Sequence, residues 1–147
     1  MSSRKYNAFD HGGHNLKVHQ ALCGLDIPCA DWQITTAFYS SLKFLEGTLF
    51  PNNYEHPNAK SGISAFETFQ QYHRAYSQAG GVHSSRHQVM KRLAQEHTNE
   101  DVGFRFKELH ELSNGARYTN YQVEAEELAL AKESLEVVRL YCVENQA

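Results

Sequence analysis

The side chains best suited to binding an anion stand near the middle of the chain, at His83, Arg86, His87 and Lys91. Ser85 has the position of an N-cap, so we expect a helix to begin there. The first turn of a helix offers free N–H groups and the positive end of the helix dipole, both of which suit phosphate. His83, Arg86 and His87 are therefore predicted to bind an anion. The alternative is a capped helix start whose charges only face solvent.

Potential metal ligands are concentrated near the N-terminus, at His11, His14, His19 and Cys23. Imidazole and thiolate are ligand types that zinc prefers. A closed structural site has more closely paired ligands, and Gly12 and Gly13 interrupt this group. We therefore predict a polar arm that binds no metal, with a zinc site as the alternative. The sequence lacks GxSxG, GxGxxG and P-loop motifs, and we expect no cofactor.

The composition is that of an ordinary globular protein. The chain has 147 residues, of which 41% are hydrophobic and 21% charged, so it can bury a core without staples. Its net charge of −3 provides no global basic field for nucleic acid or an anionic membrane. The three cysteines, the polar N-terminus and the lack of a long apolar run lead us to expect a soluble, cytoplasmic protein with reduced thiols.

Apolar side chains recur at helical spacing in six segments, at about residues 15–25, 31–49, 62–78, 85–97, 100–114 and 122–144. Asp31 is the expected N-cap of the second segment, and Gly115 stands at the expected end of the fifth. Residues 1–14 are expected to form a flexible lead-in, and residues 51–60 a loop. The chain is thus predicted to be a single all-α domain over residues 1–147, an antiparallel bundle of five to six helices.

Residues 31–50 and residues 104–138 are two segments that resemble the HEPN superfamily (higher eukaryote and prokaryote nucleotide-binding domains). The first is DWQITTAFYSSLKFLEGTLF, residues 31–50, similar to the family helix with a polar cap, a Tyr-containing centre and an apolar stripe. The second is FRFKELHELSNGARYTNYQVEAEELALAKESLEVV, residues 104–138, similar to the family pattern of helix, Tyr-containing turn and long acidic helix. Between them lies HSSRHQVMKRL, residues 83–93, where some bacterial members begin a helix with His-x-x-Arg.

The resemblance implies a HEPN-like bundle whose site lies at the turn before the last helix. Active members of the family are metal-independent endoribonucleases, with an Arg, four to six residues and a His at this turn, and two copies meet across a homodimer. Here Ser113 stands in the place of the Arg and Tyr118 in that of the His, while Asn114 keeps an Asn that often follows the Arg. Tyrosine, with an ordinary pKa of about 10, is a poor base near neutrality.

Other residues offer the missing chemistry, because an arginine can hold a phosphate and a histidine can move the proton of a ribose 2′-hydroxyl. Arg105 and His110 have the family spacing, and they are the catalytic pair that we predict if the chain is an enzyme. Arg92 and His97 have the same spacing. An offset of five residues is poor for neighbours on one helix face, so the alternative for both pairs is a solvated helix surface.

The turn itself contains further candidate ligand-binding residues, Asn114, Arg117 and Tyr118. Arg117 is suited to take over the binding of phosphate. Tyr118 is suited to stack on a base, and the alternative is that it anchors the turn to the core. Tyr39 would line the same cleft if the cleft opens between the second and fifth helices.

We therefore predict a HEPN-like, homodimeric domain that binds a nucleotide, RNA or another phosphate-bearing ligand without cleaving it. One alternative is a metal-independent endoribonuclease, a toxin or defence factor that uses Arg105 and His110, or Arg117 with a displaced histidine. A nucleotidyltransferase-type partner would accompany such a domain. The other alternative is a structural or partner-binding homodimer. Its interface would be the seam of the last helix, Leu128, Ala131, Leu135, Val138 and Cys142.

Overall fold

Six α-helices and one short β-hairpin make up the structure, a computed structural model that describes residues 5–79 and 85–146. The helices are α1 (Ala8–Cys23), α2 (Ala30–Leu49), α3 (Phe69–Ala79), α4 (Arg86–His97), α5 (Glu100–Asn114) and α6 (Ala125–Glu144). The strands β1 (Asn52–Glu55) and β2 (Ile63–Phe66) pair antiparallel, with Asn52 opposite Phe66. The predicted all-α bundle is confirmed, and the hairpin is a small addition to it.

Helix α2 packs against α1, α5 and α6. Its predicted apolar stripe is confirmed, since every member is buried: Ile34, Phe38, Leu42, Leu45 and Leu49. Phe38 stacks on Phe106 of α5 with ring centroids 5.5 Å apart. Full burial of one such side chain contributes about 1.5–3 kcal/mol. The stripe therefore holds α2 firmly against the helices that carry the candidate site.

The N-terminal segment differs from the prediction. Helix α1 begins at Ala8, where the side chain of Asn7 caps it. Gly12 is buried within this helix, and a Cβ placed there would lie 2.8 Å from the ring of Phe44. The flexible lead-in predicted for residues 1–14 is therefore wrong from Ala8 onward. The reason is that glycine here permits two helices to approach closely and does not break the helix.

The segment after α2 also differs. The predicted loop at residues 51–60 and the start of the predicted helix at residue 62 are replaced by the hairpin, and α3 begins only at Phe69. Tyr54 and Phe66, one from each strand, are both buried. The strands are only four residues long, so their alternation is too short to stand out in the sequence.

The helical backbone continues past the end of α5. Gly115 has a helical φ of −57°, and a π-helical turn (Gly115–Thr119) continues the helix until the backbone extends at Asn120. The predicted end of α5 at Gly115 is confirmed, since Gly115 is the C-cap of the α-helix, but the sequence did not predict the π-helical turn that follows. As a consequence, Arg117 and Tyr118 stand on a continued helical surface rather than in an open loop.

Of the two predicted N-caps, the one of α4 is confirmed and the one of α2 is wrong. Ser85 is confirmed as the N-cap of α4, because its hydroxyl accepts a hydrogen bond of 3.2 Å from the N–H of Gln88. At α2 the N-cap is Cys29, so the prediction of Asp31 is wrong by two residues, and Asp31 lies in the first helical turn. A carboxylate there still interacts favourably with the helix dipole.

The apolar seam of α6 is part of the core. Ala131, Leu135, Val138 and Cys142 are at most 3% exposed, and α6 packs against α2 and α5. The chain's own helices therefore cover these four seam residues, so an interface in the structural or partner-binding alternative would have to use another surface. Within the two described ranges, no helix is both long enough and apolar enough to cross a membrane.

Candidate functional site

Side chains from four elements meet near the end of α5, and we call this group the imidazole cluster. It consists of Tyr39 from α2, His87 and Lys91 from α4, His110 and Asn114 from α5, and Arg117 from the π-helical turn. His87 and Lys91 are one helical turn apart, as are His110 and Asn114, so each pair presents one face of its helix. One predicted anion ligand of α4, His87, and two residues of the predicted turn, Asn114 and Arg117, thus contribute to one place.

Phe38 is the platform on which both imidazoles rest. Its ring centroid lies 5.1 Å from that of His87 and 5.3 Å from that of His110. The two imidazole centroids are 5.4 Å apart with nearly perpendicular rings. Sequence reasoning placed Phe38 in the core and missed this role. The available signal was its position directly before Tyr39, at the centre of the apolar stripe.

His110 is held in one tautomer by its neighbour. The side-chain amide of Asn114 lies 3.4 Å from its Nε2 and donates to it, which leaves the proton of the neutral ring on Nδ1. His110 is only 6% exposed, and its Nδ1 has no hydrogen-bond partner among the described residues. A buried donor without a partner costs about 1–3 kcal/mol, so an acceptor that reached it would be bound correspondingly more tightly.

Both imidazoles are neutral near pH 7. Burial, followed by the electrostatic effects of Lys91, His87 and Arg117, lowers the pKa of His110 to about 4. Burial also lowers the pKa of His87, followed by the charges of Arg117, Arg86 and Lys91. Every charged group that shifts these two pKa values is a cation, so the cluster is a region of positive potential.

Aromatic groups hold the charge of Arg117. Its Nη1 donates a hydrogen bond of 2.7 Å to the hydroxyl of Tyr39. The guanidinium lies 5.4 Å from the ring centroid of Tyr39 and 4.9 Å from that of Tyr118. Within the described part of the chain, its Nε is buried without a partner, and no carboxylate forms an ion pair with it. The charge is therefore positioned but not neutralised.

The predicted catalytic pair does not come together. Arg105 pairs with Asp101 of α5 at 3.5 Å and with Glu133 of α6 at 3.1 Å. His110 instead packs against Phe38 and His87 on α2 and α4. The five-residue offset puts the two side chains on different faces of α5, as helix geometry requires. Arg105 is therefore not part of the candidate site, whereas His110 is.

The remaining predicted ligands have different positions. Arg86 is exposed and lies 6.0 Å from the ring of Phe69, outside the cluster, although its charge contributes to the field at His87. Tyr118 is 77% exposed beside Arg117, so it does not anchor the turn to the core. His83 lies outside the described residues.

Ser113, in the motif position of the arginine, is fully buried, and its Oγ has no partner in the parts of the chain that the structure describes. A serine in that position is too short and too deeply buried to hold a phosphate, and among the candidate residues of the turn only Arg117 carries the charge that this task requires.

The N-terminal histidines and Cys23 do not form a zinc site. His11 hydrogen-bonds to the hydroxyl of Tyr6 at 2.9 Å, while Nε2 of His19 lies 3.7 Å from the sulfur of Cys23. Across residues 5–79 and 85–146, no group of three or more potential ligands is placed to hold a metal ion. The zinc alternative therefore has no geometric support.

A concave region lies between the hairpin, α3 and α4, and we call it the hairpin cleft. Its volume is about 280 Å³, and its walls include Tyr54, Glu55, Tyr72, Tyr76, Arg92 and Glu96. Arg92 and His97, the second pair with the family spacing, both line it. Arg92 is committed to its neighbours, since it donates to Glu96 at 2.9 Å and to the hydroxyl of Tyr76 at 3.0 Å.

No family model, curated protein or solved structure matches the chain. Its function must therefore be inferred from its own side chains.

Proposed function

We propose that the chain is a HEPN-like helical domain that binds a phosphate-bearing ligand, a nucleotide or an RNA segment, at the imidazole cluster and does not cleave it. The supporting observation is the guanidinium of Arg117, which is held by two tyrosines beside two neutral imidazoles and is not neutralised by a carboxylate. A charge positioned in this way favours an anion, and the geometry of a guanidinium matches that of a phosphate.

Each member of the cluster has a distinct task in this proposal. Arg117 supplies hydrogen bonds and charge to the phosphate, and Lys91 adds to the positive field. The exposed ring of Tyr118 stacks on a base, which contributes about 1–3 kcal/mol per base in proteins that bind single strands.

The low pKa of His110 favours binding over cleavage. A ring with a pKa of about 4 is a weak base at pH 7 and carries almost no proton to give to a leaving group. A bound phosphate would raise this pKa, because its negative charge favours the imidazolium. Proton uptake would therefore accompany binding as the pH approaches the low pKa of the free ring, and we expect affinity to increase as the pH falls from about 6 toward about 4.

A metal-independent endoribonuclease is the second candidate, and one observation favours it. The charge of Arg117 acts on both His87 and His110, so an arginine and a displaced histidine belong to one cluster. Phosphate binding that raised either imidazole pKa toward neutrality would make that ring an effective acid–base group. In both candidates a homodimer, and a nucleotidyltransferase-type partner, remain part of the proposal.

The test compares two arginine variants. Arg117→Gln removes the guanidinium of the cluster. Arg105→Gln removes an arginine that lies on another face of α5 and is already paired with two carboxylates. We expect mononucleotides and short RNA to raise the melting temperature of the wild type and of Arg105→Gln, but not that of Arg117→Gln. Absence of any shift in the wild type at millimolar nucleotide would contradict the proposal.

Cleavage is tested separately by incubating each protein with total RNA in EDTA. Intact RNA together with nucleotide-dependent stabilisation supports the binding function. Cleavage that is lost in Arg117→Gln and in His87→Gln or His110→Gln supports the endoribonuclease instead. Cleavage that persists in all three variants indicates a contaminating nuclease.

A further inference from the structure

We propose that the hairpin cleft binds a small organic cation with a quaternary or protonated ammonium group. This site is separate from the imidazole cluster and does not depend on the function proposed for it.

The aromatic wall of the cleft is fixed before any ligand arrives. The ring of Tyr54 meets that of His97 edge-on at 4.8 Å and that of Tyr72 at 5.8 Å. Tyr72 also meets Phe66 of the hairpin at 5.1 Å. The hydroxyl of Tyr54 donates to the carbonyl of Leu49 at the end of α2. These contacts hold the rings in place, so little conformational entropy is lost when a ligand binds to them.

The half-buried rings of Tyr72 and Tyr76 line the cleft as neutral π systems, and the buried ring of Tyr54 packs against Tyr72. Burial raises the pKa of Tyr54 to about 12 and also raises that of Tyr72. Both side chains are therefore neutral at physiological pH. The face of a neutral aromatic ring is electronegative and attracts cations, and quaternary ammonium groups bind to cages of such rings.

The charged side chains of the cleft also favour a cation. Glu55 and Glu96 supply two negative charges, and Arg92 supplies one positive charge that is already paired with Glu96. Both carboxylates raise the pKa of Tyr72, after the larger effect of burial, while Arg92 lowers it, so all three charges act on this ring. Glu55 forms no ion pair with any described residue. The cleft therefore has an excess of negative charge, which disfavours a phosphate.

The size of the cleft limits the ligand. A volume of about 280 Å³ is just below the roughly 300–1,000 Å³ that is typical of ligand pockets. A choline-sized molecule suits this space, whereas a long or branched ligand would extend into solvent. The chemical class that fits the walls, the charge and the volume together is a compact organic ammonium compound.

The experiment titrates the full chain with choline and with 3,3-dimethyl-1-butanol, a neutral molecule of nearly the same shape. Binding is followed by NMR of the tyrosine ring resonances and by calorimetry. We expect saturable choline binding and at least about tenfold weaker binding of the neutral alcohol, because the cation–π and charge contributions are then lost. Equal binding of both molecules, or no saturable choline binding up to about 20 mM, overturns the proposal.

Variants locate the site. Glu55→Gln removes the unpaired charge and keeps the side-chain shape, and Tyr76→Leu removes a π face. We expect each to weaken choline binding about three- to tenfold. Glu144→Gln, an exposed carboxylate near the end of α6, is the matched control. An equal effect of Glu55→Gln and Glu144→Gln overturns the proposal.

Two controls separate choline binding at the cleft from misfolding of the variants and from binding at the imidazole cluster. Circular dichroism and the melting temperature show that each variant is folded. If Tyr76→Leu does not fold, Glu55→Gln alone decides. Arg117→Gln is expected to bind choline as well as the wild type does. A loss of choline binding in that variant would place the cation at the imidazole cluster and overturn the assignment to the cleft.

Discussion

The imidazole cluster and the hairpin cleft share helix α4 but differ in the sign of their charge. Helix α4 directs His87 and Lys91 to the cluster and Arg92 and Glu96 to the cleft. Five residues, from His87 to Arg92, are about 140° around a helix, so the two pairs occupy different faces. Both regions contain tyrosines, histidines and one arginine that donates to a tyrosine hydroxyl.

The neighbours of the two arginines make the difference. Arg92 pairs with Glu96 at 2.9 Å, so its charge is largely compensated within α4. Arg117 is held by the hydroxyl and ring of Tyr39, and no carboxylate among the described residues pairs with it. An arginine whose position is fixed by aromatic groups keeps its charge for a ligand, whereas one fixed by a carboxylate does not. Three tests examine this contrast.

The largest expected effect comes from the platform of the imidazole cluster. Phe38 is fully buried and contacts Phe106, His87 and His110. We expect Phe38→Ala to lower the free energy of unfolding by about 3–5 kcal/mol, because it leaves a cavity beneath both imidazoles. Urea denaturation followed by circular dichroism measures this loss.

A variant in the cleft provides the comparison for Phe38. Tyr76→Phe keeps the ring and removes only the hydroxyl that accepts from Arg92. The expected cost is below about 1 kcal/mol, since the hydrogen bond is exposed. Similar losses of unfolding free energy for Phe38→Ala and Tyr76→Phe would mean that Phe38 does not support the imidazole cluster as a core residue.

The second test uses the pH dependence of stability. The pKa of His110 is about 4 in the folded chain, below the ordinary value of 6.5. As the pH falls, the unfolded chain therefore binds this proton first, and stability is lost between about pH 6.5 and 4. We expect His110 to account for roughly 2–3 kcal/mol of that loss.

Carboxylates also titrate in this range, so variants isolate the contribution of His110. His110→Gln should lose less stability than the wild type between pH 6.5 and 4, whatever its stability at pH 7. Lys91→Gln should reduce the loss by a smaller amount, because removing one nearby cation raises the pKa of His110. Urea denaturation at several pH values gives these slopes, and identical slopes for the three proteins would contradict the assignment.

The sequence could predict the parts of the fold that have long periodic patterns. The buried stripe of α2 and the start of α4 at Ser85 follow from spacing and capping alone. Gly12 was interpreted as a break because a single residue does not show whether another helix passes close to it. The four-residue strands were missed because so short an alternation does not differ from chance.

The site could be predicted only in part, for a related reason. His87, Asn114 and Arg117 were found from helix starts and from the turn before the last helix. Tyr39 and Arg117 are 78 residues apart in the sequence, so no local pattern shows that they share a hydrogen bond. The Arg-x₄-His spacing was misleading, because on a helix it separates the two side chains of Arg105 and His110.

The smallest expected effect is the energetic coupling between Arg117 and Tyr39. A double-mutant cycle with Arg117→Gln and Tyr39→Phe removes the guanidinium and the phenolic hydroxyl in turn. We expect a coupling of about 1–1.5 kcal/mol in the free energy of unfolding, because a charged group makes this hydrogen bond of 2.7 Å in a partly buried place.

Arg92 and Glu96 supply the matched cycle from the cleft. Their side chains are 61% and 51% exposed and lie at positions i and i+4 of α4, so we expect a coupling of only about 0.3–0.5 kcal/mol. In 1 M salt this exposed pair should lose most of its coupling, since the screening length is then about 3 Å. The Arg117–Tyr39 coupling should remain, because it depends on a short hydrogen bond and a ring contact. Equal couplings that decrease together in salt would mean that the two arginines are held in the same way, and that the charge of Arg117 is not reserved for a ligand.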